Sequence, residues 1–438
     1  MKHRSSFSRG PHHGRRHGSG PSSGHRRGSS HSRPRAGHSY NRSAHHRPPA
    51  PRLVREPTGP PAPAVGTLEL TDRQDGFLRD PRRNYAVHPD DPWVSTDLIR
   101  RFNLRGGEMI HGIARGNGHV DPAFALTEIE RIMGAEPGAT ADFKPFEDLT
   151  VIDPREPIRF ETEGGPLTMR VVDLLTPIGR GQRGLIVAPP RTGKTVLLGQ
   201  MAAAIRANYP EIRLMMLLID ERPEEVTEIR RSLGAAVPDP PPDAPEVVYS
   251  SNDKDVVSHV RIARLMLAKA KRRVERGEHV FILLDSLTRL GRAFNAFVGS
   301  SGRTMSGGID IRALIEPKAI FGAARTIEHG GSLTIIASAL IDTGSRGDEF
   351  IFQEFKGTGN MELVLSRELA NLRIWPAMDV AQSGTRKEEL LLPTESVQKV
   401  YRLRRRLMAM PQPARIQSLV TELGAFKSNG EFLAAMRD

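Results

Sequence analysis

The chain has 438 residues, of which 38% are hydrophobic, and it carries a formal net charge of +12. This length suffices for about three structural units with a sizeable core. The absence of cysteine excludes disulfides, thiolate metal sites and a cysteine nucleophile. No apolar run approaches the roughly 20 residues of a membrane span, and the N-terminus lacks the apolar segment of a secretory signal. We therefore expect a cytoplasmic protein without membrane contact.

The N-terminal residues 1–65 are rich in Arg, His, Gly, Ser and Pro. Residues 1–50 hold Lys2 and ten arginines but neither Asp nor Glu, so most of the net charge lies there. Such a segment cannot bury enough surface to offset its ordering entropy, which predicts a disordered tail. We favour a solvated flexible tail over the alternative, a tail that adds non-specific affinity for nucleic acid.

Residues 66–133 contain short strand-like runs separated by Gly, Pro and Asp turns. This pattern predicts a small β-barrel of the OB-fold or cold-shock kind. Aromatic residues lie among arginines there, a combination that suits base stacking and contact with an RNA backbone. The expected RNA contacts are Gly76, Phe77, Leu78, Arg79, Asp91, Trp93 and Phe124. The alternative is that the aromatics are core residues, which we prefer for Phe102 and weigh equally with stacking for Phe77 and Trp93.

Residues 134–165, rich in Pro, Gly and acidic residues, are interpreted as a linker. Over residues 166–438, apolar strands alternate with amphipathic helices, which predicts one α/β domain whose mostly parallel sheet carries helices on both faces. The predicted strands are 185–188, 214–219, 246–249, 280–284 and 332–340, and the predicted helices lie near 194–207, 223–233 and 254–276. A proline-rich stretch at 234–245 is expected to be a surface insertion.

The most informative stretch is 184–196, where an apolar strand leads through a tight turn into Gly193-Lys194-Thr195 at a helix start. Strand, phosphate-binding loop and helix are the context of a nucleoside triphosphate site. Unpaired N–H groups at the helix start can hold phosphate oxygens. Lys194 is expected to contact the β- and γ-phosphates, and the Thr195 hydroxyl to ligate Mg²⁺. A turn that merely caps a helix is the alternative.

Two further predicted strands end in carboxylates, at Asp220-Glu221-Arg222 and at Asp285-Ser286. Ligands of an open parallel sheet bind at the carboxyl ends of its strands. Asp285 is therefore expected to organise Mg²⁺, and Glu221 to orient or deprotonate the attacking water. The alternative is a surface salt-bridge cluster, over which we prefer the catalytic interpretation for Glu221 and, less strongly, for Arg222.

Two loops rich in Gly and Ser, at 299–308 and 342–348, each carry one arginine, Arg303 and Arg346. Small residues let a backbone approach a polymer closely, and a lone arginine can contact a phosphate. We expect both loops to bind RNA, with ordinary mobile loops as the alternative.

Three runs make the chain resemble the bacterial Rho family of transcription termination factors. They are PIGRGQRGLIVAPP at 177–190, LLIDERPEEVT at 217–227 and EFKGTGNMEL at 354–363. The resemblance extends from about residue 66 to the C-terminus, and Rho proteins share the Ala188 departure from the general phosphate-loop consensus. It implies a RecA-like P-loop domain in a homohexameric, RNA-dependent ATPase. Such a ring moves along nascent single-stranded RNA and releases it from the RNA polymerase elongation complex.

The resemblance also implies roles for individual residues. The ATP contacts would be Gly179, Arg180, Gly181, Gln182, Arg183, Gly184, Arg191, Thr192, Gly193, Lys194, Thr195 and Val196. Arg222 and Arg373 would approach the phosphates, and Trp375 would stack near the adenine. Glu221 would activate water, Asp285 would bind Mg²⁺, and Arg386 would act as an arginine finger across a subunit interface. Arg303 and Arg346 match the loops that grip RNA in the central channel.

The N-terminal part departs from the family pattern. The tail replaces a small helical bundle, and Asp75 and Ala123 stand where aromatics are usual in the primary RNA site. Each lost stacking partner costs roughly 1–3 kcal/mol of RNA affinity. We hypothesise that the arginine-rich tail compensates with salt-sensitive affinity. Deleting residues 1–65 and measuring RNA affinity across salt tests this, and an unchanged salt slope would contradict it.

Two other classes of function stay open. One is another ring ATPase of this fold, such as a rotary ATP synthase subunit or a RecA-like recombinase, against which the basic, aromatic barrel argues. The other is a non-catalytic RNA-binding or condensate-forming protein. The combined presence of Lys194, Thr195, Glu221, Asp285 and Arg386 argues against that class.

Overall fold

A computed structural model describes residues 57–118, 121–140, 143–236, 244–299 and 307–436. Three predictions therefore lie wholly or mostly outside the described residues: the basic tail, the loop around Arg303 and the proline-rich insertion. Within those ranges, no helix is long and apolar enough to cross a membrane.

The N-terminal domain is a closed five-stranded barrel with the strand order β1-β2-β3-β5-β4, which confirms the predicted barrel. Its strands are β1 (Pro61–Leu70), β2 (Gly76–Arg79), β3 (Trp93–Val94), β4 (Met109–Gly116) and β5 (Phe124–Ile132), and helix α1 (Thr96–Arg101) follows β3. Strand β1 begins at Pro61, before the predicted boundary at residue 66, because Ala64 already contributes to the barrel core. A deletion that tests the tail must therefore end before Pro61.

The second domain is an α/β domain. Its strands are β6 (Val151–Ile152), β7 (Pro157–Ile158), β8 (Ile178–Gly179), β9 (Arg183–Ala188), β10 (Arg213–Glu221), β11 (Glu246–Ser251), β12 (His279–Asp285), β13 (Arg325–Ile327), β14 (Ser332–Leu340), β15 (Met361–Val364) and β16 (Gly384–Thr385). Its helices are α2 (Leu167–Leu175), α3 (Lys194–Asn208), α4 (Pro223–Ser232), α5 (Val256–Glu275), α6 (Leu287–Val298), α7 (Ile315–Gly322), α8 (Arg346–Lys356), α9 (Arg367–Asn371), α10 (Thr394–Met408), α11 (Gln412–Gly424) and α12 (Asn429–Ala435).

The main sheet has the order β11-β10-β12-β14-β9-β15-β16. All neighbours pair in parallel except β15 and β16. Successive residues of the central strands face opposite cores: Ile186 packs in one apolar cluster, and Leu185 and Val187 in the other. The sheet is therefore buried on both faces, as the near-continuous apolar runs predict.

The segment 134–165, interpreted from sequence as a linker, is packed against the α/β domain. Strand β6 pairs with β13, and β7 pairs with β8. Phe146 and Phe160 are fully buried, each in a different core cluster. These two buried phenylalanines therefore hold the segment against the domain, although its Pro and Gly content predicts a linker.

The barrel rests on helix α5. Gly107 adopts φ +88°, and a Cβ atom there would come within 2.4 Å of the Ala268 backbone. Beside it, the Arg105 guanidinium pairs with Glu275 at 2.7 Å. Glycine is required at this turn because both its conformation and the close approach exclude a side chain.

Candidate nucleotide and RNA sites

The phosphate-binding loop lies between the buried strand β9 and helix α3. Gly193, the residue before the helix, has φ +84°, and a Cβ atom there would lie 2.9 Å from the Trp375 ring. The Thr192 hydroxyl donates to the Pro189 carbonyl at 2.7 Å and closes the loop. The first N–H groups of α3 have no intrahelical partner, so they can bind an anion. Thr195 is half-buried at the second position of this helix.

Lys194 and Asp285 meet directly at the end of the sheet. The Lys194 Nζ lies 2.6 and 2.7 Å from the two carboxylate oxygens of Asp285. Asp285 is 1% exposed and also accepts a hydrogen bond from Ser338 at 2.7 Å. The structure thus places the lysine of the phosphate loop beside the carboxylate at the end of β12.

Glu221 lies at the carboxyl end of β10, which pairs directly with β12, the strand that ends in Asp285. Asp220 adopts φ +56°, and the ladder shifts register between Ile219 and Glu221, which turns Glu221 inward. Its side chain is buried: Oε1 lies 3.3 Å from Arg289, and Oε2 has no hydrogen-bond partner among the described residues. Burial, reinforced by the negative charge of Asp285, raises the pKa of Glu221 to about 7. Such a carboxylate can take a proton near neutral pH.

Arg222 directly follows Glu221 and precedes helix α4. Its side chain is 64% exposed, and the nearest carboxylate, that of Glu225, is 3.9 Å away. An exposed ion pair at this distance contributes little, so the guanidinium is available to a phosphate.

An apolar pocket of about 280 Å³ adjoins the phosphate loop. Trp375, 45% exposed, forms one wall, and Val196, Leu197 and Pro376 line the rest. Arg373 is exposed in the same turn. A flat aromatic side chain beside the loop suits the base of a nucleotide, as expected for Trp375.

The residues 179–184 and Arg386 lie at the opposite end of β9 from the phosphate loop, so the structure does not bring them to the nucleotide site of the same chain. The six residues of β9 separate the two ends by about 20 Å. Gly181, at φ +93°, is required by packing, since a Cβ atom would meet Thr326. Gln182 is buried and bonds Asn360, and Arg180 pairs with Glu156 and Glu211.

Arg386 is exposed beside Arg183 in a small pocket that also contains Lys387. Lys387 pairs with Asp153 at 2.7 Å, whereas Arg386 has no carboxylate partner in the part of the chain that the structure describes. Burial, together with the charges of Arg325 and Arg386, lowers the pKa of Arg183. This end of the sheet therefore carries uncompensated positive charge.

The predicted RNA contacts of the barrel differ in their exposure to solvent. Leu78 is 1% exposed and the Cβ position of Gly76 is filled by the β1 backbone, so neither position offers an accessible side chain to RNA. Trp93 is 8% exposed, which favours the core alternative for most of its ring. Phe77 and Phe124 are half-buried and remain candidates for stacking.

Charged residues organise the surface around Phe77. Arg79 lies over the Phe77 ring at 4.8 Å and pairs with Glu69 at 2.5 Å and with buried Asp91 at 2.7 Å. Asp75, the acid found in place of an aromatic, accepts the Trp93 indole N–H at 2.8 Å. The substitution therefore exchanges a stacking surface for an anchor that fixes Trp93.

Arg346 is the exposed first residue of helix α8, and its counterpart Arg303 lies outside the described residues. The loop before Arg346 is held by buried Asp348, which accepts from Thr343 at 2.6 Å and pairs with Arg292. This cap presents Arg346 to solvent.

Sequence reasoning missed Ser338, Arg289 and the role of Asp75. Ser338 could have been found as a hydroxyl near the carboxyl end of β14, within the apolar run 335–340 and next to the strand that carries Asp285. Arg289 follows Asp285 by one helical turn, but nothing in its spacing indicates contact with Glu221.

Two family models match the chain. The RNA-binding domain of Rho termination factor matches residues 64–138, and the nucleotide-binding domain of the ATP synthase alpha/beta family matches residues 168–385. Among solved structures, an ATPase from the type III secretion system of pathogenic bacteria is similar, with a TM-score of 0.52 and 25% identity over 60% of this chain and 70% of that chain. An ATP synthase subunit from Nanoarcheaum equitans, with a TM-score of 0.51 and 15% identity over 60% and 63% of the chains, shares the fold alone.

Curated relatives cover both domains. Transcription termination factor Rho of Cereibacter sphaeroides is 49% identical over 374 residues, 85% of this chain and 86% of that protein. The same factor of Haemophilus influenzae is 47% identical over 375 residues, 85% and 87% of the two chains. With an RNA-binding domain in front of a P-loop ATPase domain, the chain is an RNA-dependent ATPase of the helicase type and belongs to the family of transcription termination factor Rho.

Proposed function

We propose that this chain assembles into a homohexameric ring that hydrolyses ATP at its subunit interfaces and moves along nascent single-stranded RNA. The ring would release that RNA from the RNA polymerase elongation complex, in the cytoplasm where transcripts are made. The observation that carries the ring is the separation of Arg386 from the phosphate loop. An exposed arginine without a carboxylate partner among the described residues, about 20 Å from its own site, suits contact with a neighbour's ATP.

The same reasoning applies to residues 179–184. Gly179 to Gly184 share the end of β9 with Arg386, so any contact they make with nucleotide would be with ATP bound to the adjacent subunit. Gln182 and Gly181 would shape this surface, and Arg180 and Arg183 would supply its charge. The ring would then complete each site with residues from two chains.

Within one chain, the phosphate loop would hold the ATP phosphates. The N–H groups of Gly193 to Val196 would bind phosphate oxygens, and Lys194 would turn from Asp285 to the β- and γ-phosphates. Arg191, Arg222 and Arg373 would approach from the solvent side. The base would enter the pocket beside Trp375, next to Thr192.

Asp285 and Thr195 fit Mg²⁺, because a carboxylate and a hydroxyl are the hard oxygen donors that this ion prefers. No group of three or more acidic, His or Cys side chains that could hold a metal occurs among the described residues. That donor set suits an ion whose other ligands are phosphates and water. When bound, Mg²⁺ would neutralise charge on the phosphates.

Glu221 would act on the attacking water. Its Oε2, which has no hydrogen-bond partner within the described ranges, would be the acceptor that such a role requires, and Arg289 lies 3.3 Å from the other oxygen. The carboxylate would accept the water proton as the water oxygen bonds to the γ-phosphorus and the bond from that phosphorus to the β–γ bridging oxygen breaks, which leaves ADP and phosphate. Neighbouring Asp285 is occupied by Lys194 and Ser338, so the two acids have separate tasks.

For RNA, the barrel would offer Phe77 and Phe124 to bases. Arg79 is predicted from sequence to contact the backbone, but it is 7% exposed and paired with Glu69 and Asp91, so it would instead hold this surface in shape together with Asp91 and Trp93. Arg346 and Arg303 would contact RNA in the central channel. These contacts combine stacking with phosphate contacts, as in other single-strand binders.

The direct test is steady-state ATPase activity with and without single-stranded RNA, repeated with Glu221→Gln. We expect RNA to stimulate turnover and Glu221→Gln to lower it by about 10²–10⁴-fold while ATP still binds. RNA-independent turnover would contradict the proposed function, and RNA binding without any turnover would favour a non-catalytic binding protein.

A further inference from the structure

The turn between β2 and β3 holds the edge of the ATPase sheet. Strand β11 is the first strand of the sheet order, so no further strand pairs with its outer edge among the described residues. The Asn84 side-chain amide donates to the Tyr249 carbonyl at 2.6 Å, and its oxygen accepts the Tyr249 N–H at 3.1 Å. One carboxamide thus reproduces the pairing that a further strand would make.

Tyr85, the residue after Asn84, also contacts the ATPase domain through hydrogen bonds. Tyr85 is 3% exposed, and its hydroxyl donates to Glu246 at the start of β11. Lys269 on helix α5 lies 2.7 Å from the same carboxylate and 2.6 Å from the Tyr85 oxygen. Because these groups are buried and mutually paired, the turn moves together with β11 and α5.

Strand β11 in turn borders the hydrolytic glutamate. Ser251 pairs with Glu221 across the ladder, and the Asn252 N–H donates to the Glu221 carbonyl at 2.9 Å. Tyr249, whose backbone is hydrogen-bonded to the Asn84 side chain, lies two positions before Ser251. A shift of this edge strand would therefore displace the backbone that aims Glu221.

On its other side, the turn is joined to the RNA-facing surface. Arg79, which covers Phe77, pairs with Glu69, and Glu69 pairs with Arg261 at 3.0 Å. Arg261 also donates to the Tyr85 carbonyl at 2.7 Å. A continuous set of ion pairs and hydrogen bonds therefore runs from the surface around Phe77 to the turn.

We propose that Asn84 is a positioning residue that couples RNA binding on the barrel to the position of Glu221, through its two hydrogen bonds to Tyr249 of strand β11. This inference rests on the proposed RNA-dependent hydrolysis. Asn84 touches neither ATP nor the reacting atoms, and it acts through the strand that it pairs with.

The test compares Asn84→Gly with Asn103→Gly. Both asparagines lie in the barrel with positive φ, at +51° and +48°, so glycine removes each side chain without adding backbone strain. Asn103 is exposed and makes no side-chain contact with the ATPase domain among the described interactions, which makes it the matched control. Asn84→Asp, which keeps the acceptor for the Tyr249 N–H but loses the donor, serves as a third variant.

For each variant we would measure the Kd for a fluorescent single-stranded RNA, the KM for ATP, and the turnover with and without saturating RNA. For Asn84→Gly we expect both binding constants within about twofold of the unmodified protein but an RNA stimulation lowered by at least about fivefold. Asn84→Asp should lie between, and Asn103→Gly should not differ from the unmodified protein.

An RNA stimulation of Asn84→Gly equal to that of Asn103→Gly would overturn the inference. So would a loss of stimulation explained wholly by weaker RNA binding. If the unmodified protein shows no RNA stimulation, the proposed function itself fails, which is distinguishable from failure of the coupling alone. Should Asn84→Gly fail to fold, the comparison of Asn84→Asp with Asn103→Gly decides in the same way.

Discussion

Two buried carboxylates with different surroundings lie at the carboxyl end of the sheet, and the proposed function gives them different roles. Asp285 contacts Lys194 and Ser338, whereas Glu221 keeps one oxygen without a partner among the described residues. Burial, reinforced by the charge of Asp285, raises the pKa of Glu221. A base poised near neutrality next to a committed ligand is the arrangement that water activation requires.

The pKa of Glu221 predicts a pH dependence of turnover. Because burial and Asp285 raise this pKa to about 7, Glu221 is protonated at lower pH and cannot accept a proton from water. At saturating RNA, kcat/KM for ATP should therefore rise with pH through 7 and be about tenfold lower at pH 6 than at pH 8, because kcat/KM reports the pKa of the ATP-free protein. Initial rates at ATP concentrations well below KM across this range check it. A flat profile between pH 6 and pH 8, with RNA binding verified at each pH, would rule out Glu221 as the titrating base.

Asp75 predicts an effect on the barrel. Asp75→Ala leaves the indole N–H of Trp93 without its acceptor, which should cost about 1–3 kcal/mol of barrel stability, whereas Asp75→Asn keeps an oxygen acceptor and should cost less. The chain has two tryptophans, so Trp375→Phe leaves Trp93 as the only fluorophore. Unfolding followed by Trp93 emission in that background gives the measurement. Equal midpoints for the Ala and Asn variants would show that the hydrogen bond does not stabilise the barrel.

At the scale of elements, the strand–loop–helix unit depends on a glycine that only the structure explains. Gly193 combines φ +84° with the close approach of the Trp375 ring, so both the conformation and the space exclude a side chain. The sequence identifies this glycine by its motif, but its contact with Trp375 joins residues far apart in the chain. Long-range contacts of this kind have no local signal.

Gly193→Ala should weaken ATP binding about tenfold or more, because the left-handed conformation costs roughly 1–2 kcal/mol and the Cβ atom would push against Trp375. Gly199→Ala on the same helix is the control, since nothing lies within 4 Å of its Cβ position. The control should bind ATP normally and melt at a slightly higher temperature, because alanine favours helix. Titration with a fluorescent ATP analogue and thermal unfolding provide both readouts. Equal ATP affinities for the two variants would contradict this account of the loop.

The predicted elements agree with the structure where local patterns determine them. The strand predicted at 214–219 spans Arg213–Glu221, and the helix predicted at 254–276 spans Val256–Glu275. The bulge at Asp220 was not predictable, because a positive φ at aspartate leaves no periodic signature. The Pro and Gly content of segment 134–165 predicts a linker. In the structure, its side chains Phe146 and Phe160 are buried in the core and hold the segment against the α/β domain.

At the scale of the whole molecule, the proposed ring would divide each nucleotide site between the two ends of β9. The phosphate loop lies at one end and the cluster of Arg183 and Arg386 at the other. Two copies that face each other in a head-to-tail manner could join these halves, which is how a closed ring forms. Because the barrel contacts α5 and β11 of its own chain, each barrel would be linked to the nucleotide site whose phosphate loop belongs to the same chain.

The division of the site predicts complementation between subunits. Arg386→Ala should lower RNA-stimulated turnover by about 10³-fold or more, because a transition-state charge loses its partner. Mixed rings of Arg386→Ala and Lys194→Ala subunits should recover part of the activity, since some interfaces combine an intact loop with an intact arginine. Turnover of subunits mixed, dissociated and reassembled at varied ratios measures this. Mixtures no more active than the sum of the two separate variants would argue that Arg386 acts within its own chain.

The most direct test of the central claim is the release of RNA from stalled RNA polymerase elongation complexes immobilised on beads. With ATP, the unmodified protein should move labelled transcripts from the bead fraction to the supernatant, and Glu221→Gln should leave them bound although it still binds RNA. Release that is as fast with Glu221→Gln or without ATP, or no release by a protein whose RNA-stimulated ATPase is intact, would contradict an ATP-driven terminator.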